Sequence, residues 1–141
     1  MTELQPTFRV IRANETSLDT QQSPGAQRMA AVSATTTDAK RIWFGRVTNE
    51  PGMRSVPHHH GEAETAGYVV NGRMRIYHGE GFKEYVDLDE GDFVYLPPYF
   101  PHIEANLSDT AELVLLAART PDNIVENLDD PDQLDHWHPT Q

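Results

Sequence analysis

The chain has 141 residues, 38% of them hydrophobic and 23% charged, the usage of one ordinary globular domain. Its 11 basic and 22 acidic residues leave a net charge of −11, and with the bases scattered this argues against nucleic acid as a partner. The absence of cysteine excludes a disulfide scaffold, a thiol nucleophile, a zinc ribbon and an iron–sulfur cluster. Residues 1–40 read as an N-terminal arm with strands. Phe8 to Arg12 alternates in polarity and predicts a strand, Ser23-Pro24-Gly25 is a break, and a second strand is expected near Arg28 to Ala34. The opening Met1-Thr-Glu-Leu-Gln carries neither the basic nor the apolar region of a secretion signal, so a cytoplasmic protein is expected.

Residues 41–120 differ from the arm. Short apolar or alternating runs recur at Ile42 to Thr48, Tyr68 to Val70, Arg73 to His78, Phe82 to Asp87, Asp92 to Leu96, Ile103 to Asn106 and Glu112 to Ala118. Turn residues separate them. Asn71-Gly72 predicts a type I′ hairpin turn, and Gly79-Glu80-Gly81 a three-residue loop. Short strands at this spacing predict an all-β sandwich or barrel. The longest apolar run, Leu113 to Ala118, is far short of the roughly 20 residues of a membrane span, so no membrane partner is expected. Residues 121–141 form an acidic C-terminal tail, expected to be solvated, in which only Asp122 to Leu128 has a trace of helical periodicity.

The chemistry concentrates at His58-His59-His60. On a strand, side chains alternate faces, so His58 and His60 point one way and His59 the other. Two imidazoles on one face are a ready pair of metal ligands that need further ligands from elsewhere. Glu64 and His102 are the candidates. His136 and His138 repeat the spacing in the acidic tail and read as solvated, as does His78 at a hairpin end; Tyr68 and Tyr95 read as strand packing.

These residues resemble the cupin family, small double-stranded β-helix (jelly-roll) barrels marked by two separated motifs. Gly52, His58, His60 and Glu64 follow the first motif, and Gly91, Pro97, His102 and Asn106 the second. Two features depart from it. Tyr99 stands where the second motif usually has glycine, so a bulkier residue must take that turn. One residue too many also lies between Glu64 and Gly72. Counting from the histidines makes Glu64 the carboxylate ligand; counting back from Tyr68 to Gly72 puts Thr65 there and leaves a three-histidine site. A one-residue bulge would reconcile the two. Glu64 is preferred, because a carboxylate offsets the charge of a metal and threonine is a poor ligand.

The resemblance implies one divalent transition metal per chain (Mn, Fe, Ni, Co or Zn) held by His58, His60, Glu64 and His102, with affinity falling below about pH 6.5 as the imidazoles protonate. It implies an enzyme acting on a small organic molecule, dioxygenase-like by preference and otherwise an isomerase, lyase or cyclase. The alternative is a non-catalytic small-molecule-binding or regulatory module. Tyr68, Tyr95, His78 and Glu104 are all open as general base, and none is chosen. A homodimer is expected in which the Phe8 to Arg12 strand adds to the neighbour's sheet and relieves an open edge.

Overall fold

The computed structural model describes residues 7–130. Its strands are β1 (Gln27–Val32), β2 (Trp43–Asn49), β3 (His58–His59), β4 (Glu64–Asn71), β5 (Met74–His78), β6 (Glu84–Leu88), β7 (Phe93–Leu96), β8 (Ile103–Asn106), β9 (Leu113–Thr120) and β10 (Glu126–Asn127). One helical turn, α1 (Ala34–Thr37), follows β1 and is capped by Ser33, whose hydroxyl accepts from the Thr36 amide. No helix among the described residues is long and apolar enough to cross a membrane.

Alternation decides which way each strand faces. Along β9, Leu113, Leu115, Ala117 and Arg119 are buried while the residues between them are not, and β2 repeats the pattern with Trp43, Gly45, Val47 and Asn49. The strands form a five-stranded antiparallel sheet in the order β1-β2-β9-β4-β7 and a three-stranded sheet in the order β6-β5-β8. Residues 54–58 extend the smaller sheet through bridges from Arg54 to Ala105 and from His58 to His102, and β10 pairs with β3. The two sheets close on one core, in which Val47, Val69 and Leu115 from the larger meet Met74, Ile76 and Leu88 from the smaller. This is the expected jelly-roll barrel.

Several local expectations need correction. Phe8 to Arg12 forms no strand; Phe8 and Val10 are exposed, and no strand among the described residues pairs with them. Asn71-Gly72 does not make a hairpin, since β4 pairs with β7 and β9 whereas β5 pairs with β6 and β8. The chain there crosses between sheets, and Gly72, at φ +94°, lies so near the Glu112 carbonyl and Leu113 that a Cβ would sit 3.3 Å from each. The β5–β6 connection is a hairpin, with five residues (79–83) rather than three between His78 and Glu84. Asp122 to Leu128 is not helical: Asn123 is buried, and its side-chain amide donates to Thr20 Oγ1 at 2.7 Å and to the Gln21 carbonyl at 2.9 Å. Asn123 is therefore packed although Asp122, Glu126 and Asn127 stay exposed, and residues 131–141, with His136 and His138, lie outside the described residues. Tyr99 does take the left-handed turn, at φ 58°.

Candidate metal centre

Two backbone hydrogen bonds build the site. The His58 amide donates to the His102 carbonyl at 3.1 Å and the His102 amide to the His58 carbonyl at 3.0 Å, so the two residues sit directly opposite across the sheet. Their side chains then share a face, and His60 joins them one strand period later. The ring centroids lie 4.4 Å (His58–His102), 5.0 Å (His58–His60) and 5.2 Å (His60–His102) apart, and all three rings are buried. His59 points to the opposite face as expected; its Nδ1 accepts from the Gly61 amide, and its Nε2 lies 3.6 Å from Glu126.

All three buried rings are oriented in the same way. Nδ1 of His58, His60 and His102 contacts the carbonyls of Val56 (2.9 Å), Ile124 (2.8 Å) and Phe100 (2.8 Å). A carbonyl only accepts, so each Nδ1 carries the hydrogen and each neutral ring turns a bare Nε2 lone pair inward. This is the support by which metal-binding histidines are commonly held.

The carboxylate in this cluster is Glu104, which follows His102 by two residues on β8 and so shares its face. Its Oε1 lies 3.3 Å from both His58 Nε2 and His102 Nε2, while its Oε2 is buried and meets no hydrogen-bond partner among the described residues. Ligand atoms of His58, His60, His102 and Glu104 all lie within 4.8 Å of one another, so these four buried residues could hold a metal ion.

Glu64 is not brought to this cluster. It begins β4 on the outer, exposed face, where the Tyr95 hydroxyl donates to its carboxylate and is itself held above the usual phenol range by that bond. Thr65 occupies the inward position instead. It pairs across the sheet with Arg119, whose Nε donates to Thr65 Oγ1 at 3.1 Å. Of the two registers open in the sequence, the one counted from Tyr68 to Gly72 is therefore the one the strand adopts. His78 is half-buried against the Phe100 ring, outside the cluster.

Two residues of the site had gone unnoticed, Arg28 of β1 and Arg119 of β9, both almost wholly buried. Arg28 donates through Nη1 to Ser23 Oγ at 2.9 Å and through Nη2 to His58 Nε2 at 3.3 Å. Arg119 donates through Nη1 to Asn123 Oδ1 and through Nη2 to His60 Nε2, each at 3.2 Å. Their signal in the sequence was only their place in the inward row of a strand.

Burial dominates the electrostatics. It pushes the His58 imidazolium down to about 4, helped by His102 and Arg28 and opposed by Glu104. Burial, then the Arg119 charge, moves His60 in the same direction and further. Arg119 falls to about 9 through burial and the charge of Arg28. A small cavity of about 20 Å³ adjoins the polar cluster, lined by Glu104, Arg119 and Thr65 together with Val69, Ile76 and Leu115.

Comparison with known proteins agrees with this fold. Among solved structures, a conserved double-stranded β-helix protein from Klebsiella pneumoniae superposes with a TM-score of 0.64 at 17% identity, covering 88% of this chain and 100% of that one. The polyketide cyclase RemF from Streptomyces resistomycificus gives 0.68 at 14% identity, covering 89% of each chain. A mutant of the Bacillus subtilis oxalate decarboxylase gives 0.62 at 24% identity, covering 76% of this chain but only 29% of that one. At these identities the likeness shows the fold. None of the curated proteins matches the sequence. The family model for the cupin domain matches residues 45–119, more than half of the chain and including both histidine segments, so the chain belongs to the cupin family.

Proposed function

We propose that this cupin is a metal-dependent enzyme in which His58, His60, His102 and Glu104 hold one divalent transition metal and the substrate is a small organic molecule. One observation carries the reading: a buried carboxylate oxygen 3.3 Å from the unprotonated Nε2 of His58, which Arg28 caps, and of His102, with its second oxygen unpartnered among the described residues. Lone pairs facing one another at that distance call for a cation between them, and three nitrogens with one oxygen suit Mn, Fe, Ni, Co or Zn. A metal there would supply Lewis-acid or redox chemistry at its open positions, and dioxygenase-like oxidation is the reading preferred over isomerase, lyase or cyclase chemistry.

The chain's own residues do the rest. The carbonyls of Val56, Phe100 and Ile124 hold the rings in one tautomer. Thr65 and Asn123 clamp the Arg119 guanidinium. Glu104 Oε2 is the free acceptor for a substrate proton. Val69, Ile76 and Leu115 keep bulk water from the adjoining cavity. The test is metal analysis of the purified protein, followed by O2 uptake with candidate small organic acids, diketones and thiols. One equivalent of metal with turnover supports the proposal, whereas a barrel that stays empty on reconstitution refutes it.

A second reading, a non-catalytic barrel that binds a small molecule, draws on the guanidiniums that already cap His58 and His60. Metal uptake without turnover of any substrate class favours that reading. The chain is also proposed to be a homodimer, supported by the unpaired, exposed Phe8 and Val10 and by an outer sheet face on which Phe44, Phe93 and Tyr95 are exposed.

A further inference from the structure

The two buried arginines compete with a metal for the same lone pairs. Arg28 Nη2 is spent on His58 Nε2 at 3.3 Å and Arg119 Nη2 on His60 Nε2 at 3.2 Å. An ion bound by those nitrogens takes the lone pairs and leaves both Nη2 groups without an acceptor in a buried chamber. Arg28 Nε already lacks a partner among the described residues. Unmade hydrogen bonds from buried charged donors are costly, so each displaced guanidinium needs a new acceptor.

Charge points the same way. Arg28 and Arg119 bring two positive charges against the single negative charge of Glu104. A divalent cation raises that surplus further, in a region where opposite charges are poorly screened. The balance is restored by an anion that reaches the metal with one edge and the guanidiniums with the other. A carboxylate fits: it is planar, has two oxygens, and matches the guanidinium fork. The adjoining cavity of about 20 Å³, lined by Arg119 and Glu104 but not by Arg28, has room for about one water, so a carboxylate enters only as the guanidiniums turn away from the histidines, and it must be small.

Resting on the metal reading above, we infer that the site binds its metal and a small carboxylate cooperatively, with Arg28 and Arg119 as the anion's donors and the carboxylate as the substrate's recognised group. Each ligand tightens the other by the same factor, because binding linkage is reciprocal. Neither arginine is a metal ligand; each caps a histidine until the metal arrives and then turns to the anion.

The experiment uses the full chain, stripped with a chelator and titrated with Co2+ by calorimetry in chloride buffer and again with acetate at high millimolar concentration. Acetate is a weak chelator of free Co2+, and the correction for it is measured in a blank. The ligand-field spectrum of the Co2+ protein is read in parallel. The expected result is an affinity for Co2+ about tenfold tighter in acetate, within the usual range of coupling between sites, and a shift of the visible bands on acetate addition. The Arg28→Met and Arg119→Met variants, with folding checked by circular dichroism, should bind Co2+ in chloride at least as tightly as wild type and lose most of the acetate effect. Stoichiometric Co2+ binding that is identical in both buffers, with an unchanged spectrum, overturns the coupling and leaves the metal site standing. No Co2+ uptake in either buffer overturns the metal reading and the coupling together. Because the wild-type comparison decides the matter alone, a variant that fails to fold does not protect the inference.

Discussion

Acidification should destabilise the metal-free protein through His58 and His60, and the size of the effect follows from their burial. In the unfolded chain each takes up a proton near the reference value of about 6.5. In the folded chain His58 does so only near 4 and His60 lower still. Between those limits the unfolded state binds more protons, so stability falls as pH falls, by about 1.4 kcal/mol per pH unit for each histidine. Two histidines between pH 7 and 4.5 make about 5 kcal/mol, comparable with the whole stability of a small domain. The net charge of −11 relaxes over the same range and acts in the opposite direction, so the decisive quantity is a difference between variants. Urea unfolding with a chelator present, at half-unit steps from pH 6.0 to 4.5, should give a slope shallower by about 1.4 kcal/mol per pH unit in His60→Gln than in wild type. Equal slopes would falsify the placement of His60 as a neutral buried imidazole.

Further expectations concern ligand identity and assembly. His58→Ala or His102→Ala should abolish metal uptake measured by elemental analysis, whereas His59→Ala, on the opposite face, should retain it. Glu104→Gln should weaken metal binding by tenfold or more, the range typical of a perturbed metal shell, while Glu64→Gln leaves it unchanged. The reverse order would return the carboxylate role to Glu64. Sizing chromatography should give a dimer for the full chain, and a chain beginning at Ala13 should shift toward monomer; an unchanged, stable dimer removes the arm from the interface.

The barrel was legible because β2 and β9 alternate cleanly and the breaks between runs are true turns. The histidine geometry was legible because period-2 alternation needs no tertiary information. Asn71-Gly72 misled because a dipeptide reports that the chain turns, not whether the next strand pairs with the last one or crosses to another sheet. Choosing between Glu64 and Thr65 required the register of β4 against β9, which depends on Thr65 facing Arg119. Glu104 stood in the sequence as an open candidate for general base. Its two-residue offset from His102 already placed it on the ligand face, but nothing local marked that face of β8 as inward. Arg28 and Arg119 were hidden because a buried arginine looks like a surface one until its partners are known.

The link between residues 20–21, residues 123–125 and the site has a practical consequence. Asn123 connects Arg119 to Thr20 and Gln21, while Gln21 Oε1 accepts from the Val125 amide and the Ile124 carbonyl steadies His60. Residues 20–21 and 123–125 therefore act as a clasp fastened over the histidine cluster. Trimming the chain beyond Thr20 to study assembly would unfasten that clasp and confuse a change in quaternary state with a damaged centre, so a cut meant to probe dimerisation belongs upstream of it.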